Sequence, residues 1–320
     1  MMKKILAFFL SVMVVTTMMV GCKKTDSKPA AQKFISIATG GTSGTYFPLG
    51  GALADVLNKN VLGCSASAQS TGASVANVNL LQQNKVDLAF IQNDIAYYAA
   101  NGIEMFKDKK ISGFKGLATL YPETVQIVTL KKSGIKDIAD FRGRRIAVGA
   151  AGSGTEANAR QIMAAYGIKY EDVNVHYLSF SDAVTALKDG NIDAAFVTAG
   201  HPTVAIQNLA ANNDVMLIPV ADDKADALIK QFPFYTKLTI KANTYANQTT
   251  EVPAVAVKCM LAVNDEMDND TAYKITRALY ENLNRMKAAH SAANYISQDT
   301  AKEGMPVELH AGAEQFFSSK

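Results

Sequence analysis

The chain repeats itself, and the repeat limits it to architectures built from two similar halves. Ser43-Gly44-Thr45 recurs as Ser153-Gly154-Thr155, at an offset of 110 residues. Further along, "LQQNKVDLAFIQND" (Leu81–Asp94) recurs as "LKDGNIDAAFVTAG" (Leu187–Gly200), at an offset of 106. Both longer segments carry an aliphatic residue, Asp, any residue, Ala, Phe and a second aliphatic residue. Two matched pairs, in the same order and at nearly the same offset, point to a duplicated unit.

Each unit alternates between two periodicities. Phe34–Thr39 reads as a strand, and Pro48–Asn58 as a helix with Leu49, Leu53, Val56 and Leu57 on one face. Val75–Gln83 is a second helix and Val86–Ile91 a compact strand. In the second unit "RRIAVGAAGSGTEANARQIMAAYGI" reads as strand, small-residue turn and helix, and "DAVTALKDGNIDAAFVTAG" as helix, turn and strand. Strands alternating with helices predict an α/β fold of mostly parallel strands with crossover helices. At 320 residues, 48% hydrophobic and 19% charged, the chain is long enough for two ordered globular domains.

The amino end is of a different kind. Lys3 and Lys4 precede the apolar run Ile5–Val20, and Gly21 stands directly before Cys22. This predicts a signal peptide over 1–21. The run is shorter than the ~20 residues a membrane-spanning helix needs and contains two threonines, which weighs against an uncleaved anchor. "MVGC" resembles a bacterial lipobox with Met19 where Leu is more usual, implying cleavage before Cys22 and acylation of its sulfur. Residues 22–33 then make a lipidated cysteine and polar tether. Without Lys3 and Lys4 the chain has 30 basic and 29 acidic residues, a net charge of +1. That balance gives no support to nucleic-acid binding. Only Cys64 and Cys259 remain, too few for a disulfide scaffold and expected to be buried thiols.

In an open parallel sheet, ligands bind beyond the carboxyl ends of the strands. Both Ser-Gly-Thr turns lie at such ends, as do Gln92-Asn93-Asp94 and Thr198-Ala199-Gly200. If the halves face each other, the four stretches converge on one cleft. A helix start offers unpaired N–H groups and partial positive charge, which together hold a carboxylate or phosphate. Capping alone also accounts for a single Ser-Gly-Thr. Asp94 is a candidate to receive a ligand's ammonium, or a helix cap; Tyr46 and Tyr121 are candidates to wall the pocket, or core residues. His201 is placed near the rim. No Walker-type phosphate loop, G-x-S-x-G elbow, EF-hand or close metal-ligand spacing is present, so no cofactor or metal is expected.

The segments "IATGGTSGTYFPLGGALADVLN", "LLQQNKVDLAFIQND", "LYPETVQIV", "AVGAAGSGTEANARQI", "YLSFSDAVTALKDGNIDAAFVTAG" and "PFY" resemble solute receptors of the TAXI branch of tripartite ATP-independent periplasmic (TRAP) transporters. The likeness runs from Phe34 to Phe317. It implies a two-lobed periplasmic-binding-protein fold of the second type, two doubly wound, mostly parallel sheets joined by a hinge. It implies a lipid-anchored extracytoplasmic receptor, in the periplasm or on the outer face of the cell membrane, that hands a small carboxylate to a TRAP permease. The carboxylate that the resemblance implies is a glutamate-like amino acid or a dicarboxylate. Carried over by position, the pocket comprises Ser43, Gly44, Thr45 and Tyr46; Gln92, Asn93 and Asp94; Ser153, Gly154 and Thr155; and Thr198, Ala199 and Gly200, with Tyr121 nearby. The chain should cross between lobes near Tyr121–Val128 and again near Glu251–Leu261, giving lobe 1 as 34–123 plus 253–320 and lobe 2 as 124–252. Two other readings compete. One is a secreted, transferase-like enzyme on the same scaffold, with Cys259 as the residue to suspect; the other is a ligand-sensing partner of a signalling protein.

Overall fold

The computed structural model describes residues 33–319. The expected signal peptide, the lipidated Cys22 and all of the tether but Lys33 lie outside the described residues.

The first unit of the sequence folds as β1 (Lys33–Ala38), α1 (Tyr46–Asn60), β2 (Cys64–Gln69), α2 (Ser74–Gln82) and β3 (Leu88–Gln92), followed by α3 (Asn93–Asn101). After β4 (Phe114–Leu130), the second unit folds as β5 (Arg145–Ala147), α4 (Gly154–Ala165), β6 (Asn174–His176), α5 (Phe180–Lys188) and β7 (Ala194–Ala199). Then come α6 (Val204–Ala210), β8 (Val215–Ile218), α7 (Asp222–Gln231), β9 (Thr236–Ile240) and β10 (Val252–Asn264). The chain closes with α8 (Asn269–Glu281), α9 (Leu283–Ala289) and α10 (Ala311–Ser318).

The sequence repeat is a repeat of topology. β1 lies between β2 and β3 with all three parallel, and β5 lies between β6 and β7 in the same way. β3 and β7 are buried along their whole length. This is the environment of a parallel strand covered by helices on both faces, and it explains their unbroken apolar runs.

The junction between the units departs from expectation. Instead of two sheets joined by crossings, one continuous path runs β2-β1-β3-β10-β4-β7-β5-β6. β4 has 17 residues and β10 has 13, and each runs from one end of the path's middle to the other without a break. They pair antiparallel, Phe114 with Asn264 at one end and Thr124 with Ala256 at the other, with register shifts between Lys258 and Met260 and between Leu261 and Ala262. β10 continues antiparallel onto β3, and β4 onto β7. The expected crossing points therefore fall inside strands, where paired backbone holds them. Apolar residues divide along these strands: Leu117, Tyr121 and Leu261 join a core with Ile35, Leu53 and Phe90, while Val125, Ile127 and Val257 join one with Phe141 and Phe196.

Beyond β10 the chain forms two helices, α8 and α9, broken at Asn282, whose Nδ2 donates to the Ala278 carbonyl at 2.8 Å. Asp268 caps α8 by accepting from the Thr271 N–H at 2.8 Å. Cys64 and Cys259 are both free thiols; Cys259 is buried, but Cys64 only half so.

Candidate functional site

The carboxyl ends of β1, β2, β3, β5, β6 and β7 all open toward one cavity of about 80 Å³. That is room for roughly five to eight water-sized groups, the scale of a small metabolite. Of the residues expected there, Gly44, Thr45, Tyr46, Gln92, Ser153, Gly154, Thr155, Thr198 and Ala199 line it.

Five expected residues do not line it. Ser43 turns its carbonyl to the Ala205 N–H at 3.3 Å. Asn93 is engaged at the long strands, donating to the Gly304 carbonyl and accepting from the Lys258 N–H, both at 3.0 Å. Asp94 is fully buried between helices, accepting from Asn158 Nδ2 at 3.0 Å and from the Ile95 N–H at 2.8 Å. Burial pushes its carboxyl up to about 7. Tyr121 packs its ring beside Gly200, where an added Cβ would come within 3.2 Å of it. Gly200 itself offers its carbonyl to the Thr45 hydroxyl at 3.0 Å. His201 is likewise outside the lining, its Nδ1 2.8 Å from the Thr124 hydroxyl, and burial pushes its pKa down.

The twin Ser-Gly-Thr turns differ in use. Ser153 caps α4, its hydroxyl accepting from the Glu156 N–H at 3.2 Å. Gly154 and Thr155, in the first turn, have N–H groups with no intrahelical acceptor. A Cβ on Gly154 would stand 1.8 Å from Gln92 Oε1, so only glycine allows this approach. The chain reaches α4 through Gly149, held at φ 100°, a conformation glycine adopts freely, and a Cβ there would stand 2.8 Å from Thr155 Cβ. In the first unit Thr45 is the residue before α1 but does not cap it with its side chain; its hydroxyl reaches across to Gly200.

Sequence reasoning missed Glu123, which lines the cavity from the middle of β4 at 1% exposure. Its Oε2 accepts from Gln92 Nε2 at 3.1 Å. Oε1 makes no well-formed hydrogen bond, although the Tyr46 hydroxyl and Cys259 thiol are near enough to offset part of the cost of ionising it. Burial nonetheless pushes this carboxyl up to about 8. Gln92 Oε1, the Thr198 hydroxyl and the Tyr121 hydroxyl are also buried without partners. None of the lining residues is Lys, Arg or His. Phe180, at the start of α5, was also missed; it approaches Gly44 to 3.4 Å of where a Cβ would be and covers the cavity from that side. A polar "YPETV" and an aromatic beside a serine cap gave no local sign of either role.

Residues of the two units meet directly around the cavity. The Ala76 N–H donates to the Gly152 carbonyl at 3.0 Å, Gln161 Nε2 to the Tyr98 hydroxyl at 3.1 Å, and Arg160 pairs with Glu104 at 3.1 Å. The arrangement is a closed one. Among the described residues, no cluster of His, Cys, Asp and Glu could hold a metal ion, and no helix is long and apolar enough to cross a membrane.

Comparison with known proteins gives a family and a fold. A family model, the NMT1-like family, matches residues 37–320. The arginine-binding extracellular protein ArtP of Bacillus subtilis strain 168 is 31% identical over 106 residues, which is 33% of this chain. That match spans only 38% of ArtP's length. Among solved structures, PhnD1 of Prochlorococcus marinus MIT 9301, in complex with methylphosphonate, aligns with a TM-score of 0.55 at 10% identity, over 83% of this chain and 91% of that one. The alkanesulfonate-binding protein SsuA of Xanthomonas axonopodis pv. citri, bound to MOPS, aligns with a TM-score of 0.50 at 14% identity, over 90% and 84%. The likeness is one of fold: an α/β architecture with a mixed sheet, of the type II periplasmic-binding-protein kind.

Proposed function

The chain belongs to the NMT1-like family, and on that premise we propose that it is an extracytoplasmic solute receptor that captures a small carboxylate and releases it unchanged to a membrane permease. The carrying observation is the cavity at the seam of the two units, walled by helix starts from both and by no basic side chain. The free N–H groups at the start of α4, with the hydroxyls of Thr155 and Thr198, are suited to a carboxylate, and the closed arrangement would exclude water and strengthen those bonds. We take lobe 1 as 34–123 plus 253–320 and lobe 2 as 124–252, hinged on β4 and β10. Ligand is bound when the lobes close and leaves when they part.

The resemblance to TAXI receptors favours a TRAP permease as the partner and a lipid on Cys22 as the anchor. Chemistry on Cys259 is disfavoured, because its thiol is buried and pushed up by that burial. Two measurements test the proposal. A thermal-shift screen of carboxylates and amino acids should find at least one compound that raises the melting temperature in a concentration-dependent way. Uptake of that compound in vesicles holding the receptor and permease should then need an ion gradient and no ATP; a need for ATP would assign the receptor to another transporter class.

A further inference from the structure

We propose that Glu123 is the cation-recognising group of the cleft, so that the ligand is a zwitterion presenting an ammonium beside its carboxylate, and not a dicarboxylate. The proposal rests on reading the cavity as the solute site. Its starting point is a mismatch. A cavity suited to an anion holds a buried carboxyl, at 1% exposure, with one oxygen unpartnered. A second acceptor, Gln92 Oε1, is also buried and unpartnered. Gln92 is held beside Glu123 by its own Nε2, which leaves its amide oxygen, against Gly154, without a donor. Buried polar atoms without partners are costly, and such acceptors in a ligand cavity call for a donor from the ligand. An ammonium has three N–H groups and so can serve Gln92 Oε1 together with Glu123 once its proton has left, whereas a second carboxylate could pair only with the protonated form of Glu123 and would leave Gln92 Oε1 without a donor.

The placement matches the head group of an α-amino acid. Gln92 Oε1 lies against Gly154, in the first turn of α4. Acceptors for an ammonium and helix-start donors for a carboxylate are therefore neighbours, as the two groups are on one α-carbon. Among the described residues, no Lys, Arg or His lines the cavity to neutralise Glu123 in the ligand's place. The titratable groups near Glu123 are Tyr46, Tyr121, Cys259 and, more remotely, Asp94, none of them cationic. Glu123 is held largely protonated at pH 7 by burial, so docking an ammonium against it should drive its proton out.

The test is calorimetry on the mature receptor with the twenty standard L-amino acids, the matched acids lacking the ammonium (glutarate for glutamate) and the matched amines lacking the carboxylate. An amino acid should bind about 30-fold or more tightly than its acid counterpart, and Glu123→Gln should weaken it by a similar factor. Titrations at pH 7 in buffers of different ionisation enthalpy should show about one proton released per ligand by the wild type and none by the variant. If Glu123→Gln does not fold, Gln92→Leu should weaken the amino acid about tenfold or more and leave the proton release in place. An acid without an ammonium binding as tightly as the amino acid overturns the role of Glu123 and leaves the carboxylate receptor standing. An amine without a carboxylate binding as tightly does the reverse. If nothing in the panel binds, both readings fall.

Discussion

Two buried carboxyls, Asp94 and Glu123, stand on opposite sides of the question of what this cavity recognises. Asp94 is sealed off by Asn158 of the other unit and by Tyr235, whose hydroxyl accepts from the same Asn158 amide at 2.7 Å. Asn158 Oδ1 has no partner of its own. A protonated Asp94 fits this setting better than an ionised one, consistent with its pKa of about 7. The folded state then keeps a proton that the unfolded chain gives up near pH 4, so this contribution to stability is complete in acid and is lost as pH rises to about 7. Asp94→Asn removes that dependence. Its melting temperature relative to wild type should climb between pH 5 and pH 8, by an amount worth up to a few kcal/mol. Parallel curves would show that Asp94 is ionised in the fold. From the sequence, Asp94 was the conspicuous acid, at a strand end, and Glu123 was hidden in a stretch read as a crossing. What separates them is contact with residues remote in the chain: Asn158 shuts one away, while Gln92 holds the other at the cavity wall. Residue spacing does not carry that information.

At the scale of elements, the proposed site turns on the start of α4. Gly154→Val would put a side chain where Gln92 Oε1 now lies. Parting the units relieves the clash, so the unliganded melting temperature should change little while ligand-induced stabilisation disappears. A variant that still shows the full thermal shift would place the ligand elsewhere. The helix starts and both parallel trios were legible because their signals are local: small residues at a strand end, then a 3.6-residue period. β4 was not. Pro122 and Glu123 look like a break in an apolar run, yet both pair in register with β10, opposite Lys258 and Val257. An antiparallel partner more than a hundred residues away supplies the continuity that the local pattern lacks. The split of α8 from α9 was equally hidden, since Asn282 is tolerated within many helices.

For the whole molecule, the repeat predicted two α/β halves with a cavity between them, and residues of the two repeated units do touch one another in the structure. Bonds between the halves set how strongly closure is favoured. Thr45→Val deletes the hydroxyl that reaches Gly200, a carbonyl that also accepts from Thr203 at 3.1 Å. The loss should be about 1 kcal/mol of the closed state, weakening ligand about fivefold by calorimetry. Small-angle scattering should show an unliganded protein broader than this structure, contracting to it on saturation and contracting less completely in the variant. An unliganded profile that already matches the closed form would mean the halves do not part.

Lys33, where the described chain begins, and Ser318, at the end of α10, both belong with the first unit: β1 carries Ile35 and α10 carries Phe316 into the same apolar core. The second unit has no free end and hangs from two neighbouring strands. Anything that holds the protein by its amino end therefore grips one jaw only. If the units part as proposed, the other is the one that swings, and a dye or crosslinker placed on that suspended jaw should register every bite without loosening the grip.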